Sequence, residues 1–473
     1  MSSFHSVGGG QIFSPLLFLA AWEAEAFGPR PLDTLPKETS TAILQSKSAL
    51  VRKLWQNFNA ERDSLDKYYM SDDKFFEAYL LSFFLPNVQR VFSLFMKSAH
   101  SSIIDDLLNK DHINILDFGS GPLSGSIGII CALEHRIATR PDKKHRLKSI
   151  SIVAIERALN AVECGRTLLE ASISSELKID VLALPSLDKY TVKSDISLCI
   201  NAINEIPVKH RLKTAVQLFE ATAPNKAILI MEPGQDIHAR ELGALRDDLI
   251  NWAQNKSENI SVVSPCPHAL ECPLSSKMKR TDWCWFQDNW DRPRSVLILD
   301  NYTRLNHDEL NHSFVLFQKS KQNKEAPYAR IVSSVFELNS DAAQRAKTLM
   351  YAKSNQLAGK ASDLEELFAG PAAISKAILC TRDGTLQSAF GKTENMSANR
   401  GDVIGNESEA PLRVNERVEK ITTEIQATNK PVPSKKPVTL GQKTSATIVH
   451  NSKGTEKHSK GLQPKQTTQK TRR

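Results

Sequence analysis

The stretch HINILDFGSGPLSGSIG, residues 112–128, begins as an apolar run, turns through glycines and continues with small and apolar residues. The apolar run is typical of a buried β-strand, and the segment after Pro122 is typical of a helix. Glycines at 119 and 121 allow a tight turn and a close approach of the backbone to a ligand. The helix that follows offers unpaired N–H groups at its first turn. The stretch therefore predicts a strand, a glycine turn and a helix in direct succession.

Four more apolar runs follow, and each is separated from the next by an amphipathic segment. Including the first, strands are predicted at 112–119, 147–156, 178–184, 194–201 and 226–234. Helices are predicted near 122–136, 157–172, 207–222 and 236–255. Apolar strands that alternate with helices indicate buried parallel pairing, and hence a doubly wound, Rossmann-like α/β sheet. The later stretches NISVVSP and HSFVLFQKS are predicted to add strands at its far edge.

The ends of the first two predicted strands each carry a carboxylate, Asp117 and Glu156. An acidic residue at the second position can accept hydrogen bonds from ribose hydroxyls. The interval between the two is longer than the usual ~20 residues, and a surface loop, ATRPDKKHRLKS, accounts for the excess. With Asp at the strand end and the third glycine displaced to Gly125, the pattern favours S-adenosylmethionine. A nicotinamide or flavin cofactor, or a loop that binds nothing, are the alternatives.

The segment NAINEIP, residues 201–207, follows the fourth predicted strand, at the edge where open α/β sheets bind ligands. Asn201, Asn204 and Glu205 are candidates to line a pocket there, although Asn204 could instead cap the next helix with Glu205 in its first turn. No catalytic residue is assigned. The residues predicted to bind the cofactor are Asp117, Gly119, Ser120, Gly121, Pro122, Glu156 and Asn201.

Three of the seven cysteines crowd into SPCPHALECPLSSKMKRTDWCWF, residues 264–286. Cys266, Cys272 and Cys284 are separated by five and eleven residues, which matches neither paired zinc knuckles nor ferredoxin runs. Tetrahedral zinc or a four-iron cluster requires a fourth ligand, and the candidates are His268 and Cys380. Three buried, unpaired thiols are the alternative. The remaining cysteines, on predicted helices and strands, are interpreted as core residues: Cys131, Cys164 and Cys199.

The chain divides by composition into four parts. They are a helical amino-terminal region at 1–109, the sheet domain at 110–326 with a cysteine-bearing insert at about 262–290, a small α+β unit at 327–394, and a disordered basic tail at 395–473. The small unit includes SKAILCTRDGTLQSAFGK, whose Arg-Asp-Gly turn between apolar runs predicts a hairpin. The tail has too few apolar residues to offset the entropy of ordering.

The net charge of +8 is concentrated in the tail. Residues 411–473 hold 14 Lys and Arg against four Glu, a net of +10, so the rest of the chain is close to neutral at −2. Lysines spread along a flexible segment neutralise phosphates and release counterions, which predicts an RNA partner. A tail that only keeps the protein soluble is the alternative.

The cellular compartment is predicted from the cysteines and from the first residues. An odd number of cysteines and the lack of a signal-peptide pattern favour a reducing compartment. The apolar run FSPLLFLAAW, residues 13–22, is shorter than the roughly 20 residues that span a bilayer, so no membrane association is expected. Glu23 and Glu25 argue against a mitochondrial transit peptide. We therefore expect a monomeric protein of the bacterial cytoplasm, with the mitochondrial matrix as the alternative location.

Seven short motifs run in order from about residue 77 to residue 394: YLLSFFLPNVQRVFSLF, LDFGSGP, NEIP, EPG, PCPHALECPL, DWCWF and LCTRDGTL. Together they resemble the methyltransferase-like proteins associated with small ribosomal subunit assembly, the mitochondrial small-subunit type that also has bacterial members. The cysteine-containing motifs are the most specific of the seven. The chain departs from the family at Leu123 and Ser124, where Gly and Thr are common.

This resemblance implies an S-adenosylmethionine methyltransferase fold and a [4Fe–4S] cluster, with zinc as the alternative metal. The cluster ligands that it implies are Cys266, Cys272, Cys284 and Cys380, which makes His268 a neighbour. It also implies action on the small ribosomal subunit or its rRNA. Two functions are compatible with it: an RNA methyltransferase, and a non-catalytic iron–sulfur assembly factor that binds small-subunit RNA.

Overall fold

The computed structural model describes most of the chain up to residue 420. The described residues are 16–27, 36–59, 69–140, 142–172, 177–275, 278–279, 282–321, 327–352, 367, 373–393, 400–405, 412–415 and 419–420. No helix among them is long and apolar enough to cross a membrane.

The described residues of the amino-terminal region form a layer of five α-helices. In order they are α1 (Leu16–Phe27), α2 (Lys37–Asn59), α3 (Asp73–Tyr79), α4 (Leu85–Met96) and α5 (Ser101–Leu108). A short 3₁₀ turn, Tyr69–Ser71, precedes α3, and a π-helical turn, Leu80–Phe84, joins α3 to α4. The Asp72 carboxylate caps α3 by accepting from the backbone N–H of Lys74. Pro86 lies in the first turn of α4, directly after the π-helical turn, and has no N–H to donate where the hydrogen-bond pattern changes from π to α.

The central sheet begins with five parallel strands and four helices in alternation. The strands are β1 (His112–Phe118), β2 (Ser149–Ile155), β3 (Lys178–Leu184), β4 (Ser194–Ile200) and β5 (Thr222–Pro233). The helices are α6 (Ser124–Thr139), α7 (Leu159–Ser172), α8 (Val208–Ala221) and α9 (Asp236–Asn255). Every residue of β4 is buried, as expected for a central strand covered on both faces.

Later elements complete the sheet. They are the strands β6 (Ser261–Ser264), β8 (Phe286–Asn289) and β9 (Glu309–Gln318), together with helix α10 (Arg294–Thr303), whereas the short strand β7 (Met278–Lys279) lies outside this sheet. The strand order is β3-β2-β1-β4-β5-β9-β6, with β8 also paired to β9. Strand β9 runs antiparallel to β5, β6 and β8. The predicted doubly wound fold is confirmed, and the glycine turn after β1 lies where the strand order reverses.

Two hydrophobic cores cover the two faces of this sheet, as the pleat of β1 shows. Ile113 and Ile115 belong to the core that includes the amino-terminal helices, whereas Leu116 belongs to the core formed with α8 and α9. Helix α4 packs closely on α6 because Gly128 has no side chain. A Cβ atom at that position would lie 2.7 Å from Val91 Cβ.

The carboxy-terminal unit is an antiparallel sheet with one described helix. Its elements are β10 (Ala329–Ile331), β11 (Phe336–Glu337), α11 (Ser340–Ala352), β12 (Ile374–Thr381), β13 (Leu386–Lys392), β14 (Val403–Ile404) and β15 (Leu412–Asn415). Strands β12 and β13 form a hairpin around the Arg-Asp-Gly turn. Gly384 in that turn has a φ of +77°, which favours glycine.

The sequence predicts a disordered tail from residue 395, and within that range the structure describes residues 400–405, 412–415 and 419–420. Strand β14 pairs with β10, and β15 pairs with β13. A further short strand, β16 (Glu419–Lys420), pairs with β7 of the insert. Edge strands of two to four residues escape prediction because they are too short to show an apolar periodicity, and backbone hydrogen bonds to a neighbouring strand hold them. The remainder of the predicted tail lies outside the described residues.

Candidate functional site

The turn after β1 adopts backbone conformations that suit glycine. The φ angles are +63° at Gly119 and +49° at Gly121. A Cβ atom at position 119 would lie 2.4 Å from the Cβ of Ala202, which follows β4. The same atom at position 121 would meet only the mobile end of Met70, at 3.3 Å. The first glycine therefore lets the turn touch the end of β4, while the second lies beneath the 3₁₀ turn.

Leu123, where the family commonly has glycine, also has a positive φ, 63°. Its side chain is completely buried and lies 2.8 Å from the place that a Cβ of Gly165 would take. Leu123 thus packs against α7 and is not part of the cavity lining described below. The Leu123 side chain therefore leaves the space above the glycine turn open.

The Glu156 carboxylate after β2 holds the glycine turn. Its Oε2 accepts from the Gly121 N–H at 3.0 Å. Its Oε1 accepts from the backbone N–H groups of Arg157 at 2.7 Å and Ala158 at 3.0 Å. Three backbone donors fix the orientation of a half-buried carboxylate that also lines the cavity.

Asp117 lies behind the turn and does not face the cavity. Its Oδ2 accepts from Ser126, at 3.0 Å from the backbone nitrogen and 2.7 Å from the hydroxyl. The side chain is 1% exposed, and burial raises the pKa of this carboxyl to about 6. Its structural role is to hold the first turn of α6. Two other residues predicted to bind the cofactor, Ser120 and Pro122, are likewise outside the cavity lining.

A cavity of about 560 Å³ lies above the glycine turn. This volume is within the usual range for small-molecule sites. Its walls come from six parts of the chain: the glycine turn with Glu156, the segment after β4, the amino-terminal layer, the end of β5 with the start of α9, the cysteine-bearing insert, and the start of β9 with the residues before it. The lining includes Gly119, Gly121, Glu156, Asn201, Asn204, Glu205, Tyr69, Tyr79, Asn87, Arg90, Trp283 and Trp285.

The amino-terminal layer reaches the segment after β4 through polar contacts. The Asn201 side chain donates to Asn87 Oδ1 at 2.9 Å, and Asn87 donates to the Tyr79 hydroxyl at 3.0 Å. The Tyr69 hydroxyl donates to Glu205 at 3.2 Å. Burial, followed by the charge of Glu205, raises the pKa of Tyr69 above its usual value. The helical layer therefore orients the side chains of Asn201 and Glu205.

The alternative role proposed from the sequence for this segment is wrong. Asn204 does not cap α8, since Pro207 occupies that position and makes no side-chain hydrogen bond there. Residues 203–205 instead form a separate 3₁₀ turn. Sequence reasoning also missed that α4 contributes side chains to the cavity wall. The polar pair Asn87 and Arg90, within the apolar run LPNVQRVFSLF, is the signal that points to it.

The structure brings the four predicted metal ligands into one region. Cys272, Cys284 and Cys380 pack in a single buried cluster with leucine and valine side chains. Cys266 is close enough to affect the titration of all three. The other three cysteines lie apart from this cluster, in the cores around α6, α7 and β4.

The thiols of this cluster are difficult to ionise in the protein alone. Burial, and next the nearby Cys266, raises the pKa of Cys272 to about 12. The same two causes raise the pKa values of Cys284 and Cys380 well above the usual range for a thiol. His268 lies beside them, with its Nε2 3.3 Å from Cys380 Sγ.

Three arginines surround the thiols. Arg246 is 1% exposed and pairs with Asp247 at 2.5 Å, and it also donates to the backbone of the insert at Leu270. Arg330, which pairs with Cys380 across β10 and β12, donates to the carbonyls of Pro265 and Gly401. The buried positive charges favour negatively charged sulfur.

The third arginine, Arg400, joins the insert to the carboxy-terminal unit. It donates to the carbonyls of Val332, Trp283 and Trp285. Its guanidinium also lies 4.1 Å from the centre of the Trp285 ring, a cation–π contact. The insert is thus tied to the small sheet on both sides of Cys284.

Four thiols in a positively charged surrounding are the donor set of an iron–sulfur cluster. Among the described residues, however, no three His, Cys, Asp or Glu side chains are arranged so as to hold a metal ion. The residue types and their surroundings fit such a cluster, whereas ligand geometry is not formed. The metal site remains a prediction.

The sheet order, the glycine turn at the point where that order reverses, and the cavity above it define a doubly wound, Rossmann-like α/β fold with a ligand-sized cavity at its switch point. Residues 116–342, just under half of the chain, match the model of the family described as mitochondrial small ribosomal subunit Rsm22. The resemblance read from the sequence motifs is therefore confirmed over this segment.

Solved structures with similar folds include several methyltransferases. Magnesium protoporphyrin IX methyltransferase from Synechocystis, solved with S-adenosylmethionine, is 10% identical, with 58% of this chain and 97% of that chain covered and a TM-score of 0.29. Precorrin-6y C5,15-methyltransferase from Geobacter metallireducens is 10% identical, with coverage of 48% and 90% and a TM-score of 0.26. No curated protein matches the chain.

Proposed function

We propose that the protein binds S-adenosylmethionine in this cavity and acts as a methyltransferase-like protein on the small ribosomal subunit or its rRNA. The observation that carries the proposal is the shared cavity. Its walls combine the glycine turn and Glu156 with the polar segment after β4, so a cofactor half and a substrate half adjoin.

The residues present suit this cofactor. The turn at Gly119 and Gly121 leaves room for a ligand against the backbone, and the Glu156 carboxylate is positioned to accept hydrogen bonds from ribose hydroxyls. When bound, the cofactor supplies an electrophilic methyl group. Asn201 and Glu205, fixed by Asn87 and Tyr69, are placed to hold the acceptor and to exclude water.

Calorimetric binding of S-adenosylhomocysteine tests this proposal. We expect Glu156→Gln to weaken binding, because a neutral amide accepts hydrogen bonds less strongly than a carboxylate. Glu163→Gln, an exposed change on α7, is the matched control. A wild-type protein that binds neither this product nor S-adenosylmethionine would contradict the proposal.

Transfer of a labelled methyl group to small-subunit RNA then separates the two functions. Binding with transfer supports an RNA methyltransferase. Binding without transfer supports the second candidate, a non-catalytic assembly factor. One observation favours that candidate. Trp283 and Trp285 lie on either side of Cys284 and line the cavity, so gain or loss of a metal at the thiol cluster would alter the shape of the cavity.

We further propose that the thiol cluster holds [4Fe–4S], with zinc as the alternative. Its ligands would be Cys266, Cys272, Cys284 and Cys380. The three surrounding arginines support a negatively charged cluster over neutral thiols. Because each ligand must be deprotonated, the pKa values raised by burial describe the protein without metal.

Iron and sulfide analysis of anaerobically purified protein tests the cluster. Cys380→Ser should lose iron, whereas Cys131→Ser, a buried thiol of α6 outside the cluster, should keep it. One zinc per chain would favour the alternative metal, and protein with neither metal would overturn the proposal. We also propose that the protein is a monomer in the bacterial cytoplasm, with the mitochondrial matrix as the alternative location.

A further inference from the structure

Arg90 on α4 is a charged side chain in the wall of the cavity. Its Nε is buried, and among the residues that the structure describes it has no hydrogen-bond acceptor. Its Nη1 donates to Asn87 Oδ1 at 2.6 Å. An arginine side chain places its donors in a planar fork, so the guanidinium retains the capacity to bind a planar anion.

The charge of Arg90 is only partly balanced. Burial lowers the pKa of its guanidinium to about 10, so the group is still positively charged at neutral pH. Asp288 attracts it, but the Asp288 carboxylate forms an ion pair with Lys97 at 2.8 Å. A buried charge of this kind is costly unless an anion accompanies it.

The position of Arg90 indicates which anion fits. Asn87 accepts hydrogen bonds from both Arg90 and Asn201, which places the guanidinium beside the end of β4. Glu156 lies at the end of β2, and β1 with its glycine turn lies between β2 and β4. Two strand spacings separate these ends by roughly 10 Å. A ligand whose ribose meets Glu156 and which extends over the glycine turn ends near Arg90.

We propose that Arg90 binds the carboxylate at the amino-acid end of S-adenosylmethionine. The inference rests on the proposed function, and it assigns to the amino-terminal layer a part of the cofactor site. Asn87 acts as a positioning residue, since its Oδ1 holds the guanidinium and the Asn201 amide in one arrangement. The helical layer then closes the site at the end opposite the ribose.

Two ligands that differ in this carboxylate test the inference by calorimetry. S-adenosylhomocysteine carries the amino-acid end, and 5′-methylthioadenosine lacks it. We expect Arg90→Gln to weaken S-adenosylhomocysteine binding about 10- to 100-fold, in line with a lost charged hydrogen bond. Binding of 5′-methylthioadenosine should change less than about twofold. Arg90→Lys should recover part of the lost affinity, because it keeps the charge but not the fork.

Arg345→Gln is the control, since it removes one positive charge from an exposed position on α11. Thermal unfolding of each variant shows whether the fold is retained. If Arg90→Gln weakens both ligands equally, or neither, the inference is overturned while the cofactor site stands. If the wild type binds neither ligand, both this inference and the proposed function are overturned.

Discussion

Gly119 and Gly121 share a left-handed backbone conformation but differ in what surrounds them. The first faces the Ala202 side chain at a distance too short for any Cβ, whereas the second faces the flexible end of Met70. The sequence pattern gives the same reason for glycine at both positions, a tight turn with close approach of the backbone to a ligand. The structure shows that position 119 carries an additional steric requirement.

Alanine substitutions at these two positions distinguish the cost of backbone strain from the cost of steric overlap. Gly121→Ala places a side chain at a positive φ, at a cost of roughly 1–2 kcal/mol. Gly119→Ala adds an overlap with Ala202, for which overpacking of 1–3 kcal/mol more is typical. Urea unfolding should therefore show the larger loss of stability for Gly119→Ala. Equal losses of stability would mean that the backbone around Ala202 shifts at little cost to accommodate the added methyl group.

Asp117 makes the stability depend on pH. Its pKa, raised by burial to about 6, exceeds the value near 4 of an unfolded chain, so the folded protein binds this proton more tightly. The resulting stabilisation is complete below pH 4 and is lost as the pH rises through 6, up to roughly 3 kcal/mol.

Asp117→Asn removes this titration. The free energy of unfolding of the wild type should fall relative to that of the variant between pH 4 and pH 6.5. Urea unfolding of both proteins across this range measures the difference. Parallel profiles would show that the carboxyl titrates normally in the folded protein.

Helix α4 connects the amino-terminal layer to the cavity. It packs on α6 at Gly128, and it carries Asn87 and Arg90 into the cavity wall. The 3₁₀ turn before α3 contributes as well, because Asn160 of α7 donates to the Met70 carbonyl at 3.1 Å. An apolar helical pattern predicts only that such elements are buried, not that they complete a site.

The contact between α4 and α6 can be tested with two helical glycines. Gly128→Ala would place a Cβ 2.9 Å from the Val88 carbonyl oxygen and should destabilise by about 1–3 kcal/mol, with weaker S-adenosylhomocysteine binding. Gly243→Ala on α9, where the nearest atom is 3.3 Å away, is the matched control. Its effect should be much smaller, since alanine favours a helix. Similar losses for both variants would argue against a tight α4–α6 contact.

At the scale of the whole molecule, arginines around the thiols tie the insert to the carboxy-terminal unit and to α9. Arg330 and Arg400 donate from the small unit to insert carbonyls, and Arg246 donates from α9 to others. A metal cluster at this junction would couple metal binding to the folding of both parts. The short pairing of β16 with β7 extends the same junction to residue 420.

Truncation after residue 421 tests the role proposed for the tail. Residues 422–473 hold 11 Lys and Arg against two Glu. Their removal should weaken binding to small-subunit rRNA and flatten its salt dependence, because fewer counterions are released. Filter binding at several salt concentrations measures both. Unchanged affinity at low and high salt would remove the argument for RNA binding by the tail.

A second truncation, after residue 410, is the control for folding. It also removes β15, which pairs with β13, and should therefore lower the unfolding temperature. Truncation after 421 keeps every described strand and should leave that temperature unchanged. The comparison distinguishes a loss of RNA binding from a loss of structure.

The sequence by itself determined the alternation of strands and helices, the glycine turn after β1 and the three closely spaced thiols of the insert. These features depend on periodicity, residue type and local backbone preference, which a single chain displays directly. The hairpin at Arg382-Asp383-Gly384 was predictable for the same reason.

Only the tertiary structure decided which of these residues meet. It turned Asp117 and Leu123 away from the cavity, brought Asn87 and Arg90 into it, and paired β14 and β15 with distant strands. Each of these outcomes depends on contacts between segments that are far apart in sequence. Local patterns fix what an element is, whereas steric fit and hydrogen bonding between elements fix what it faces.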